Sequence, residues 1–245
     1  MTLTCMVMAA GLGLRMRPIS DLPKPLVPIA GKPLIDYTLD WLADAGIGDA
    51  VVNTHYKADI LQAHLAKRNK PKIHISHEPI LLETGGGIKK ALPLLGNGFF
   101  FSTNSDVICI DGKEPALHRL QEAQVSMDVD AVLLLHPVEK AVGYQGKGDF
   151  FLDNDGILTR RGDKASAPFV FCGVQILHAK LFENVPEGPF SLNVLYDRLM
   201  SQGNAPRIRG IVHDGDWLHV GDPEGVKLAE AFFNSQQSFI SKASQ

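Results

Sequence analysis

Gly11, Gly13, Arg15, Arg17 and Lys24 fall within one stretch, AAGLGLRMRPISDLPKPLVPIAGKPL, residues 9–34, and all five suit the handling of anions. Gly11 and Gly13 follow an apolar run, so their backbone N–H groups can converge on one anion beyond the end of a strand. Arg15 and Arg17 lie close behind Gly13, where a planar guanidinium can reach the same anion with paired hydrogen bonds. Lys24 stands between Pro23 and Pro25. A residue before proline is pushed out of helical geometry, so the sequence predicts an ammonium carried on a stiff, extended segment. A plain tight turn is the competing reading of the glycines alone. Two familiar phosphate motifs do not fit: Met16 occupies the place of the third glycine in a dinucleotide fingerprint, and no G-x-x-x-x-G-K-[ST] occurs.

Other residues could join this chemistry. Asp106 follows the run FFFSTN at 99–104, where a carboxylate can hold Mg²⁺ together with water and phosphate oxygens, or simply form a turn. The segment ETGGG, 83–87, puts three glycines ahead of a helix, which lets backbone approach a flat ligand or merely opens the helix. The conspicuous residues are thus cationic and glycyl, a set suited to positioning and neutralising phosphate.

The elements that must carry them can be read from periodicity. Residues 4–8 form a short buried strand, 34–45 a helix stopped at Gly46, 49–54 a strand, 58–67 a helix and 72–77 a strand. A helix at 84–91, a strand at 99–104, a helix at 114–123 and a strand at 131–135 continue the alternation, which argues for helices packed on a mostly parallel sheet. Residues 148–152 and 157–161 read as a hairpin about Asp153-Asn154-Asp155-Gly156, followed by strands at 170–177 and 207–212 and a helix at 223–234 that opens on Pro223. The expected fold is α/β: a Rossmann-like mixed, mostly parallel sheet flanked by helices, with a smaller α+β part. One domain over 1–235 is expected, with halves at 1–135 and 136–235, and residues 236–245 as a polar tail that frays.

Composition narrows the class. Of 245 residues, 45% are hydrophobic and 21% charged, the usage of ordinary globular chains. A net charge of -3 supplies no basic field for nucleic acid, so an anionic ligand must be held by a local cluster. Cys5, Cys109 and Cys172 are odd in number and far apart, which predicts buried free thiols and a reducing, cytoplasmic setting. No apolar run approaches the roughly 18 residues of a membrane span, and no membrane partner is expected.

The strings MAAGLGLRMRP, LPKPLVPIAGKPLI, LLETGGGIKKALPLL, TNSDV, GKGDF and WLHVG together resemble the signature of sugar-phosphate nucleotidyltransferases. Within that family the ETGGG segment, the short length and the lack of a C-terminal β-helix look most like the N-acetylmuramate 1-phosphate uridylyltransferases of bacterial cell-wall (peptidoglycan) recycling, with mannose-1-phosphate guanylyltransferases next. The resemblance implies that a sugar 1-phosphate and an NTP, UTP favoured and GTP possible, give an NDP-sugar and pyrophosphate in a monomer or small homo-oligomer. It implies that Ala10, Gly11, Gly13, Arg15, Lys24, Glu78, Gly85, Gly86, Asn104 and Asp106 contact the nucleotide, with Glu78 and the Gly85–Gly86 backbone at the base. Arg15, Lys24 and Asp106 would carry catalysis, and Gly148 with Lys24 would meet the sugar phosphate.

Asp106 would bind Mg²⁺, with Mn²⁺ an alternative. The chain departs from the family in four places. Ser105 replaces a glycine, Phe171 occupies the place of an asparagine that many acetylglucosamine-phosphate enzymes carry, His219 stands where a second metal-binding aspartate is usual, and Asp222 replaces a threonine. His219 is therefore a ligand to a softer ion such as Mn²⁺ or a strand-end histidine; otherwise Asp222 or Asp216 reaches in, or Asp106 works alone with water and triphosphate. A binding module that has lost efficient chemistry is the rival from another class, motivated by His219. A dehydrogenase fares poorly because of Met16.

Overall fold

The apolar runs of the first half lie side by side in one sheet. In a computed structural model, which describes residues 3–201 and 207–243, the order is β1 (Cys5–Met8), a short ribbon of β2 (Pro28–Ile29) and β3 (Lys32–Pro33), α1 (Leu34–Asp44), β4 (Asp49–Thr54), α2 (Ala58–Leu65), β5 (Lys72–His77), α3 (Glu83–Leu95) and β6 (Phe99–Asn104). Then follow β7 (Val107–Ile110), α4 (Ala116–Met127), β8 (Ala131–Pro137), β9 (Phe150–Leu152), β10 (Leu158–Arg160), β11 (Phe169–His178), α5 (Asn193–Met200), β12 (Ile208–Val212), β13 (Asp216–His219) and α6 (Pro223–Ala243).

The main sheet runs β10-β9-β11-β6-β1-β4-β5, with β8 also paired to β11 and β12 to β8. Strands β6, β1, β4 and β5 are mutually parallel, as are β8 and β12. Strand β11 runs against both β6 and β8, with a break in register between Phe171 and Gln175. This is the mixed, mostly parallel α/β sheet that the alternation predicts, and its parallel centre leaves the ends of β1 and β6 side by side, with Met8 opposite Asn104. Side chains of β1 alternate between two cores, as a strand's period of two requires. Cys5 and Val7 pack with Leu39, Leu42 and Leu120, while Met6 packs with Ile88, Ala91 and Phe100.

The structure corrects several expectations. Lys24 does not ride on an extended segment: it opens a 3₁₀ turn, Lys24–Leu26, with Pro25 inside that turn. A proline is tolerated there because the first turn does not use its missing N–H, and the rings of Pro23 and Pro25 still stiffen the backbone around Lys24. The glycines of ETGGG lie within the first turn and a half of α3, not ahead of it. The ribbon of β7 with β13 and helix α5 are additions that the periodicity does not predict. Instead of ending at 234, α6 continues through Ala243, because no glycine or proline interrupts it after Gly225. The hairpin of β9 and β10 forms about the expected turn, in which Asp153 accepts from the N–H groups of Asp155 and Ile157.

Candidate active site

Asp106 sits in the tight turn from β6 to β7, and Lys24 reaches it from the 3₁₀ turn, with Nζ 2.6 Å from Oδ2. Both side chains are largely covered, at 14% exposure for Lys24 and 26% for Asp106. Burial works to raise the Asp106 pKa, but the charge and hydrogen bond of Lys24, aided by His219, outweigh it and hold the carboxyl below the ordinary range. The site therefore presents a fixed anion and a fixed cation in contact. Ser105, beside them, is buried and donates to the Met8 carbonyl at 2.8 Å, tying the end of β6 to the end of β1.

Two cavities meet here. The first, about 330 Å³, is lined by Gly11, Gly13, Arg15, Lys24, Ser105, Asp106 and Gly221, among others. Gly13 has φ +58°, and a Cβ there would stand 2.9 Å from Cβ of Lys24, so the glycine is what lets the loop pass close to the lysine. Arg15 is exposed over this cavity and its Nη1 lies 3.7 Å from Asp222 Oδ2. Arg17, by contrast, lies over the Tyr56 ring at 5.1 Å. The second cavity, about 270 Å³, shares Met8, Gly11 and Asp106 with the first and adds Ala10, Asn53, Glu78, Leu81, Glu83, Thr84 and Asn104.

Not every expected contact residue presents itself to these cavities. Glu78 lines the second one but has no exposed surface: Oε1 accepts from Asn53 Nδ2 at 2.7 Å and Oε2 from the Leu82 N–H at 3.0 Å. The N–H groups of Gly85 and Gly86 both donate to the Phe190 carbonyl. A Cβ on Gly85 would overlap the Phe190 ring, and one on Gly86 would overlap the Gly188 carbonyl. These glycines allow the close approach of the 188–190 segment, and their N–H groups are taken up there. Gly148 is likewise occupied, donating to Tyr144 Oη at 3.2 Å and accepting from Arg161 Nε at 3.1 Å, and its φ of +76° explains the glycine.

His219, the last residue of β13, follows Trp217 on the same face of the strand. The two rings lie stacked at 6.0 Å and 10°, and Tyr144 meets His219 edge-on at 6.3 Å. Asp222 instead caps α6 through Gly225 and pairs with Arg15, while Asp216 is exposed at the opposite end of β13. Among the described residues, no three His, Cys, Asp or Glu side chains converge as a metal cage. Asp106 is the one carboxylate of the first cavity's lining, and a single carboxylate suits a hard cation that takes most of its ligands from phosphate and water.

An α/β sheet with a glycine-lined, cation-bearing cavity at the ends of its central parallel strands defines a protein that handles phosphorylated ligands. The chain belongs to the nucleotidyl transferase family, whose model matches residues 4–145. Over 232 residues it is 44% identical to an N-acetylmuramate alpha-1-phosphate uridylyltransferase of Caulobacter vibrioides, covering 92% of this chain and 95% of the relative. A protein of the same description from Neisseria meningitidis is 32% identical over 92% of this chain and 96% of its own length. Among solved structures, HddC from Yersinia pseudotuberculosis complexed with GMP-PN matches with a TM-score of 0.73 and 26% identity, over 95% of this chain and all of that one. The expected class, a sugar-1-phosphate nucleotidyltransferase, is thus borne out.

Proposed function

We propose that this enzyme joins N-acetylmuramate α-1-phosphate to UTP, giving the UDP-sugar and pyrophosphate, as a step in the reuse of cell-wall sugars in the cytoplasm. The observation that carries the site assignment is the Lys24–Asp106 pair where the two cavities meet, next to a cavity lined by Gly11, Gly13 and Arg15. The choice of sugar and base is supported by the 44% identity to the Caulobacter uridylyltransferase.

A phosphate oxygen of the sugar 1-phosphate attacks the α-phosphorus of UTP, the bond from that phosphorus to its bridging oxygen breaks, and pyrophosphate leaves with the electron pair. The nucleophile is already an anion, so no side chain need take a proton, and the protein's work is to align and neutralise. Lys24 holds the α-phosphate and the incoming phosphate against their mutual repulsion. Backbone N–H groups of the Gly11–Gly13 loop and the Arg15 guanidinium take the pyrophosphate end, where Arg15 exchanges Asp222 for phosphate. Asp106 would hold a divalent cation, Mg²⁺ by its oxygen chemistry, which would supply neutralisation of phosphate charge.

The test is pyrophosphate release from each NTP against a panel of sugar 1-phosphates that includes N-acetylmuramate, mannose and glucose. Release confined to UTP with the N-acetylmuramate substrate is the expected result. Greater activity with GTP and another sugar would replace this reading, and nucleotide binding with no release under any divalent ion would point to a binding module.

A further inference from the structure

The glycine loop springs from one peptide unit, Met8–Ala9, and side chains from neighbouring elements hold that unit at both ends. The ladder of β1 with β4 stops at Val7, opposite Val52. Just beyond it, Asn53 on β4 accepts from the Ala9 N–H through Oδ1 at 2.6 Å. On the other side Ser105 donates to the Met8 carbonyl, from Oγ at 2.8 Å and from its backbone N–H at 3.2 Å. A peptide is planar, so holding its C=O and its N–H sets the direction in which the backbone leaves toward Gly11.

Asn53 is itself held. Its Nδ2 donates to Glu78 Oε1 at 2.7 Å, and Glu78 Oε2 accepts from the Leu82 N–H at 3.0 Å. Both side chains are buried, Asn53 at 1% exposure and Glu78 at 0%. The Ala9 N–H needs an acceptor and the Glu78 carboxylate a donor, and the asparagine amide supplies one of each. Gly87 lies against this pair: a Cβ there would stand 2.7 Å from Glu78 Oε1 and 3.1 Å from Asn53 Nδ2.

On the nucleotidyl-transfer reading above, we infer that Asn53 is a positioning residue: it sets the Met8–Ala9 peptide and, through it, the loop N–H groups that receive the phosphates of the nucleotide. It acts through the backbone and not on the reacting atoms. Groups that receive a reacting phosphate must be placed closely, since a shift of about 1 Å can cost about 10²-fold in rate.

The experiment is a double-mutant cycle of Asn53→Asp and Glu78→Gln, read by the KM of UTP, the KM of N-acetylmuramate 1-phosphate and the Tm. Asn53→Asp sets two carboxylates against each other, and Glu78→Gln leaves either Asn53 Nδ2 or the Leu82 N–H without an acceptor. Each single variant should raise the KM of UTP by about tenfold and leave that of the sugar 1-phosphate unchanged. A protein that is merely destabilised loses active molecules and keeps both constants. The double variant reverses the polarity of the link: the new amide donates to the new carboxylate, which still accepts from Ala9, and the amide oxygen accepts from Leu82. Its KM for UTP should return to within about threefold of the parent's, and it decides the matter alone if Asn53→Asp does not fold. A double variant that shows no recovery, or that fails to fold, overturns the positioning role, as does a folded Asn53→Asp with the parent's KM for UTP. A parent that releases no pyrophosphate from UTP with any sugar 1-phosphate overturns the functional reading instead.

Discussion

Lys24 is the residue whose role sequence and structure approach from different sides. Its two flanking prolines announce a fixed side chain, but only the fold reveals that its partner is Asp106, 82 residues away, because nothing local in either segment encodes the pairing. Asp106 itself was legible as a carboxylate beyond a strand end. Glu78 was legible as acidic but not as spent, since its partners Asn53 and Leu82 come from the end of β4 and the loop before α3. His219 was the main open question, and its ring is packed on Trp217 and Tyr144 beside Asp106. Because it acts on Asp106 by charge and lies outside the lining of both cavities, His219→Ala should lower kcat by less than about tenfold, against the 10²- to 10³-fold typical of losing a group that stabilises the transition state. Steady-state kinetics at saturating UTP would measure this, and a loss of about 10³-fold would make His219 a direct participant.

At the scale of elements, strands of the parallel centre were readable to within a residue because each is a short apolar or, in β5, alternating run bounded by turns. The ribbon of β7 and β13 was not, since β7 follows β6 after only two residues and β13 carries Asp216 and His219 at its ends. Helix α3 shows how packing can demand glycines that a motif also invites for a ligand. Glycine disfavours helix by about 1 kcal/mol relative to alanine, so propensity alone predicts that Gly85→Ala stabilises the protein. The structure predicts the reverse. A methyl group there would collide with the Phe190 ring and crowd its carbonyl, and overpacking of this kind costs about 1–3 kcal/mol. Urea unfolding of Gly85→Ala decides between the two: a lower midpoint is expected, and a higher one would mean that the 188–190 segment yields freely.

At the scale of the molecule, Asp130 ties together parts of the second half that are remote in sequence. It accepts from Arg207 at 2.7 and 2.9 Å and pairs with Lys180 at 2.7 Å, joining the start of β8 to the approach of β12 and to the 3₁₀ turn after β11. Burial tends to raise the Asp130 pKa, but the hydrogen bonds and charges of Arg207 and Lys180 prevail and hold it below the usual carboxylate range. A carboxyl with a depressed folded-state pKa contributes stability that is fully present above its unfolded pKa and is lost as pH falls through the folded one. Asp130→Asn should therefore cost about 1–3 kcal/mol at neutral pH, less than the roughly 3–5 kcal/mol of a fully buried broken pair, since both cations are partly solvated. Below the folded pKa of Asp130 the difference should vanish. Unfolding free energies of both proteins at neutral and acidic pH would show the convergence. Such links were invisible in the sequence, where Asp130 reads only as the residue before a strand.

The central claim is that phosphate chemistry takes place where Lys24 meets Asp106. The most direct measurement is kcat for pyrophosphate release by Lys24→Ala, with its Tm shown to match the parent's. A fall of about 10²- to 10³-fold or more in a folded protein is the result expected for a positioned cation at the transition state. Near-normal turnover would place the chemistry elsewhere.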